Sequence, residues 1–203
     1  MGRELKIRWE EFSFSTVVLD LQSGRIDVAG GMSATEERKK VLDMPGPLYN
    51  YPDALVYKKG FEPFENWADY NKPEYKVASL QGASSERTVQ TLLHDAQNLS
   101  FKAVAEMYLS VQAGTADFFV VGLAQGLMAM SENGEAFGGL KYPEPKHSTP
   151  SGLGVRKDGD GRFAAWLQAW SEKRTADGTM RQLVRDNFAK AGIDITLLEG
   201  SGL

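Results

Sequence analysis

Two stretches far apart in the chain follow one pattern. "LQSGRIDV" at residues 21–28 and "VQAGTADF" at residues 111–118 both read apolar, Gln, small, Gly, two residues, Asp, apolar. In each, the glycine stands where an amphipathic run ends, the position that favours a left-handed turn out of a helix. Apolar residues follow at once. A helix that stops and feeds directly into a strand is half of an alternating α/β unit. The repeat therefore predicts two similar α/β lobes, although a chance recurrence of a helix-stop pattern would look the same.

The rest of the chain alternates in the same way. Strands are predicted at 5–9 ("LKIRW"), 25–31, 53–59, 75–82, 99–104, 116–121 and from 151, the last running into the turn "KDGDG". Helices are predicted before Gly24, from about Thr35, over 84–96, 105–114 and 123–134, and in two final segments, 162–178 and 179–192. Such alternation implies parallel α/β sheets. Phe163, Trp166, Leu167 and Trp170 recur at helical spacing and read as a core-facing stripe. The aromatics of "NWADYN" (66–71) read as cover for a lobe edge.

Composition removes several functions. A formal net charge of −4 argues against nucleic acid as the main partner, because phosphate binding needs clustered Lys and Arg. The absence of cysteine excludes thiol nucleophiles and Cys-zinc sites, and two histidines leave little scope for His-based metal binding. No metal and no cofactor is expected. No run of 18 apolar residues occurs, and the opening "MGRELKIRWEEFSF" has no apolar signal-peptide core.

Residues 30–49, "GGMSATEERKKVLDMPGPLY", carry the most chemistry. Ser33 and Glu36 have capping-box spacing, and Thr35 competes as the N-cap. Either choice leaves helix-start amides that attract anions. Gly30 and Gly31 allow close approach of a ligand to the main chain. Arg38 lies one turn into the helix, and its guanidinium has the fork geometry that holds a carboxylate. The residues alone leave two readings open: a carboxylate clamp, or a solvated surface helix with Arg38 beside Glu36, Glu37, Lys39 and Lys40.

"FSFSTVVLDLQSGRIDVAGGMSATEERKKVLDMPGPLYN" closely resembles the first-lobe signature of the bacterial polar amino acid-binding proteins. These are the extracytoplasmic solute-binding proteins of ABC importers, with the type II periplasmic binding fold. "VASLQGASSE", "SVQAGTADFFV" and the segment from "SGLGVRKDG" to "RQLVRDNF" extend the resemblance over nearly the whole chain. The resemblance implies two lobes with parallel or mixed sheets flanked by helices. Residues 1–57 and 152–203 would form lobe 1, and residues 58–151 lobe 2. Connections near 57–60 and 146–151 would act as hinges. It implies a binding protein rather than an enzyme, a periplasmic location, a small carboxylated ligand, and the membrane subunits of an ABC importer as partners. Carried over residue by residue, Phe14 packs on the ligand, Gly31 offers its backbone, Ser33 its hydroxyl, and Arg38 pairs with the α-carboxylate. Ala83, Ser84 and Ser85 form the helix-start loop that completes the carboxylate site.

The chain departs from the family pattern in four places. Leu19 replaces a proline, and the exit reads "MPGPLY". Where the family has an acid for the ligand's ammonium, this chain has Gly122, followed by Leu123 and Ala124. A carboxylate without an α-ammonium, or one whose nitrogen is held elsewhere, is therefore expected. The strand and helix that precede the segment matching "LKIRW" in the family are not in this sequence. The first lobe is therefore expected to be incomplete, with a swapped or edge-paired homodimer, a rearranged lobe or an incomplete product as outcomes. The apolar residues 193–199 offer a replacement strand. Two further functions stay open: a cyclohexadienyl dehydratase-like enzyme, and a remnant that binds no ligand and assembles with a partner. His147 reads as an exposed loop histidine, and His94, Glu86 and Asp95 as helix-surface groups.

Overall fold

The computed structural model describes residues 6–193. Both copies of the repeat form the same device. Helix α1 (Val17–Gln22) and helix α5 (Val104–Gln112) each end two residues before a left-handed glycine, Gly24 at φ +74° and Gly114 at φ +72°. Gly24 N–H donates to Leu21 O and Gly114 N–H to Val111 O, each at 3.1 Å. A side chain in this backbone region would meet its own carbonyl, so glycine fixes the exit direction. Both copies then reach back once more, Ile26 N–H to Asp20 O and Ala116 N–H to Ser110 O. Strand β1 (Ala29–Ser33) therefore starts at Ala29 rather than at residue 25, and strand β6 (Phe118–Gly122) at Phe118.

Two sheets result. The larger contains β3 (Asp53–Tyr57), β4 (Lys76–Leu80), β5 (Gln97–Phe101), β6 and β7 (Gly139–Lys141) in the order β5-β4-β6-β3-β7. β4 runs parallel to both β5 and β6, while β3 is antiparallel to β6 and β7, so the sheet is mixed. "FFVV" in β6 is apolar without interruption because both faces are covered. Phe118 and Val120 pack with Trp67, Tyr70 and Val89, and Phe119 and Val121 with Met107, Val111 and Ala129. Trp67 and Tyr70, on the short helix α3 (Trp67–Tyr70), are therefore core residues rather than edge cover.

The smaller sheet has the order β1-β8-β2, with β2 at Leu42–Asp43 and β8 at Ser151–Arg156. Both pairings are antiparallel, against the expectation of parallel strands from βα alternation. Its core is Val17, Leu21, Ile26, Ala29, Met32 and Leu42. Helix α2 (Glu36–Val41) follows β1. Helices α4 (Ser84–Leu92) and α6 (Leu123–Asn133) belong to the larger sheet, and α7 (Arg162–Ala176) and α8 (Thr179–Lys190) close the described chain.

Three expectations change. Residues 6–9 form no strand; Ile7 and Trp9 are 71% and 88% exposed, and no neighbouring strand supplies hydrogen bonds there. The stripe on α7 is not core either. Leu167 and Ser171 are buried, but Phe163 and Trp166 stack on each other in solvent. Gln168 explains this orientation, because its side-chain amide exchanges two hydrogen bonds with the main chain of Gly46 and fixes which face points inward. Finally, residues 53–57 pair in the larger sheet, so they leave the lobe 1 segment 1–57. The chain crosses between sheets before Asp53 and again before Ser151, where Pro52 bridges Ser148 and Tyr49 bridges Ser151. Residues 57–60 follow β3 inside the larger lobe, whereas residues 146–151 do lie on a crossing. The strand suggested at 193–199 lies, apart from Ile193, outside the described residues.

Candidate functional site

Where the crossings meet the two sheets, a cavity of about 120 Å³ opens. Phe14, Gly31 and Ser33 line it from the smaller lobe, and Ala83, Ser84, Ser85, Gly122 and Gln125 from the larger. Tyr49, Tyr51, Asp53, Thr149 and Ser151 line it from the crossings. A larger groove of about 390 Å³ runs between residues 47–50 and the start of α8, but none of its lining residues is buried.

Local capping places the serines. Thr35 takes the N-cap of α2, its Oγ1 accepting from Arg38 N–H at 3.3 Å. Ser33 is thereby free of the capping role, and its hydroxyl bonds Ser84 Oγ at 2.9 Å and Ser151 Oγ at 3.1 Å. These hydroxyls join both lobes and a crossing. Ser84 and Ser85 begin α4, whose N-cap position, Ala83, supplies no side-chain hydrogen bond. The first-turn amides of that helix thus lie beside the cavity without a side-chain acceptor. A β-bulge between Gly30 and Met32 sets Gly31 at φ +72°, where a Cβ would lie 3.2 Å from Tyr49 Oη. Gly30 faces solvent and does not line the cavity, so the bulge separates two glycines that the sequence paired.

Arg38 stands directly behind this wall rather than in it. It is only 6% exposed. Nη1 donates to Ser33 O at 2.9 Å, Nη2 donates to Gly82 O at 2.8 Å, and the guanidinium lies 5.7 Å from the Phe14 ring centre. Among the described residues no carboxylate pairs with it. Burial pulls its pKa down from the ordinary arginine value, but the group stays cationic. The solvated-helix reading is excluded by this burial.

The crossings bring residues the motif did not mark. Tyr49, Tyr51 and Asp53 alternate along an extended segment, so they share one face. That period of two in "YNYPD" is the signal that finds them. Tyr51 Oη is buried with no hydrogen-bond partner, and burial raises its pKa. Asp53, 6% exposed, is the only carboxylate among the described residues of the lining and sits opposite Gly122 in the β3–β6 register. Its Oδ2 accepts from Thr88 Oγ1 at 2.6 Å and lies 2.9 Å from His147 Nδ1. Asp53 N–H also donates to His147 O at 2.6 Å. His147 is therefore half-buried and anchored, not a free loop histidine; the hydrogen bond to Asp53 raises its pKa against a smaller opposing desolvation. Glu86 has a structural task, accepting from Gly82 N–H and Ser100 Oγ, while His94 and Asp95 remain exposed.

Comparison with known proteins agrees with this architecture. Residues 1–190 match the bacterial extracellular solute-binding proteins, family 3. The chain is 26% identical over 190 residues to the ABC transporter glutamine-binding protein GlnH of Bacillus subtilis, spanning 91% of this chain and 66% of that protein, just under two thirds. It is 27% identical over 196 residues to the L-arginine-binding protein of Pseudomonas aeruginosa, covering 92% of this chain and 74% of that one. Among solved structures, an ancestral amino acid-binding protein described as a precursor of cyclohexadienyl dehydratase superposes with a TM-score of 0.77 at 26% identity, over 90% of this chain and 78% of that one. An ancestral arginine-binding protein bound to arginine gives 0.77 at 28% identity, over 90% and 80%. With a two-lobed α/β architecture, a cavity at the crossings and a match over nearly its whole length, the chain belongs to the bacterial extracellular solute-binding proteins, family 3.

Proposed function

We propose that this protein holds a small amino acid-like carboxylate between its lobes and delivers it to the membrane subunits of an ABC importer from outside the cytoplasmic membrane. One observation carries the reading: Arg38 is a buried guanidinium without a carboxylate partner among the described residues, set against the wall of the inter-lobe cavity. Removing a cation from water is costly unless charge returns to it. Two carbonyls recover part of that cost, and a ligand carboxylate at Ser33 and the start of α4 would recover more. Phe14 would cover the ligand's apolar part. The two crossings are the hinges about which the lobes would close.

The names of the relatives fit this ligand class, since they bind glutamine and arginine. The dehydratase alternative gains no support here. The cyclohexadienyl dehydratase precursor among the similar structures is itself an amino acid-binding protein, and Gly122 offers no proton donor. The edge-paired homodimer has no support in these relatives and forms no part of the reading.

Calorimetry with L-glutamine, L-arginine and their desamino acids tests the clamp. Arg38→Ala is expected to weaken whichever probe binds by about a hundredfold, from the loss of a charge-assisted pair. Binding of that probe by Arg38→Ala as tightly as by the parent would refute it.

A further inference from the structure

We propose that Asp53, together with the hydroxyl of Tyr51, forms the subsite for a cationic nitrogen of the ligand, replacing across the β3–β6 ladder the acid that position 122 lacks. This deepens the carboxylate-binding reading above and rests on it.

Three observations meet at this corner. Asp53 is the only carboxylate among the described residues lining the cavity, and Gly122 faces it in register across the adjacent strand. Both side-chain bonds of Asp53 among the described residues go to one oxygen, Oδ2, which serves Thr88 and His147, and Oδ1 has no hydrogen-bond partner among them. Tyr51, two residues earlier on the same face, also lines the cavity, and its Oη is buried without a hydrogen-bond partner among the described residues. Buried polar atoms are nearly always paired in folded proteins, so an orphan hydroxyl beside a half-used carboxylate asks for a donor. An ammonium has three donors and no acceptor, and suits a carboxylate oxygen and a phenolic oxygen together. A hydroxyl or an amide would satisfy Tyr51 but bring no charge to the open Oδ1.

The corner is also held firmly. Thr88 on α4 and His147 on the second crossing fix Oδ2, and the hydrogen bond from Asp53 N–H to His147 O ties the strand start to that crossing. The carboxylate therefore cannot swing away to solvent when a ligand arrives. With Arg38 behind Ser33 and Asp53 beside Gly122, opposite charges flank one small cavity, the arrangement that a zwitterion matches.

The experiment compares probes that differ only in the amine: L-glutamine against 4-carbamoylbutanoate, and L-arginine against 5-guanidinopentanoate, titrated calorimetrically into the parent, Asp53→Asn and Tyr51→Phe. The parent should prefer an amino acid over its desamino form by about tenfold to a hundredfold, the span of a charge-assisted hydrogen bond. Asp53→Asn should lose that preference while binding the desamino acid as before, and Tyr51→Phe should reduce it severalfold. Asparagine keeps the shape and bonding capacity toward Thr88 and His147. Tyr51→Phe removes a hydroxyl that has no partner to lose, so it carries the test even if Asp53→Asn melts early. A parent that binds the desamino acid as well as the amino acid, or an Asp53→Asn or Tyr51→Phe protein that keeps the full preference, overturns the subsite and leaves the Arg38 clamp standing. A parent that binds neither form overturns both.

Discussion

Gly82 lies where the main chains of the two lobes leave no room for a side chain, and substituting it separates folding from closure. Its backbone sits at φ +76°, and a Cβ there would lie 2.6 Å from Phe14 O, 2.9 Å from the Phe14 carbonyl carbon and 3.1 Å from Ser15 Cα. Main chain, not a flexible side-chain end, occupies the space. A comfortable carbon–oxygen contact needs about 3.3 Å, so the segment before α1 must retreat by about 0.7 Å. Gly82 O is also the acceptor of Arg38 Nη2 at 2.8 Å, and that bond spans the same joint. In Gly82→Ala the left-handed backbone costs about 1–2 kcal/mol, partly offset by about 0.4–1 kcal/mol from the stiffer unfolded chain. That net cost is present whether the lobes are open or closed, and should lower Tm by about 2–4 °C. The contact with Phe14 and the loss of a charged hydrogen bond, about 1.5–3 kcal/mol, act on closure alone. They should weaken binding by about tenfold to a hundredfold. Calorimetry with L-arginine or L-glutamine reads the affinity, thermal melting reads the fold, and small-angle scattering reads whether ligand still shrinks the molecule. If Gly82→Ala binds within about twofold of the parent, the joint does not govern closure and the reasoning fails.

Two more outcomes are expected. The hydrogen bond to Asp53 raises the pKa of His147, so this pair adds stability that is fully present below the ordinary histidine value near 6.5 and is lost as pH rises through the folded-state value. The Tm difference between parent and His147→Gln should shrink from about pH 5.5 to about pH 8.5; Glu36, Glu37, Lys39 and Arg87 line the groove on the outer side of His147, and low and high salt separate their screened influence from that of Asp53. A pH-independent difference would contradict this pairing. Trp166→Gln, on the exposed face of α7, should leave Tm within about 2 °C of the parent, whereas a large loss would mean that the stripe is core after all.

Local chemistry was the legible part of this fold. The helix stops at Gly24 and Gly114 depend on a few neighbouring residues, and the unbroken apolar run of β6 announces a strand covered on both faces. What failed needed a distant partner. Residues 6–9 have strand-like composition, but a strand exists only against another strand. The 163–170 stripe has helical periodicity, yet periodicity does not say how wide the surface beneath it is, and a glutamine clamp on Gly46 set the answer. In the site, Gly31, Ser33 and Ser84 were readable from a motif and line the cavity, while Gly30 does not and Arg38 lies one layer deeper. Asp53 was read only as strand. Its meaning comes from Thr88 and His147, which are far away in the chain and become its neighbours only once both crossings are in place.

The hydroxyls at the joint suggest how one surface serves both an empty and a filled cavity. Ser33, Ser84 and Ser151 each hold a donor and acceptors, so they satisfy one another when nothing else is present. A carboxylate only accepts. On the proposed reading, its arrival would need hydroxyl protons only to rotate about their C–O bonds toward the ligand, with the oxygen positions unchanged. Arg38, one layer behind them, ties one lobe to the other through its bonds to Ser33 O and Gly82 O. On the proposed reading, the binding free energy would go into holding the lobes together rather than into rebuilding the walls. Gly82, where Arg38 and Phe14 both reach across the joint, is therefore a position at which a single added methyl group would act on closure.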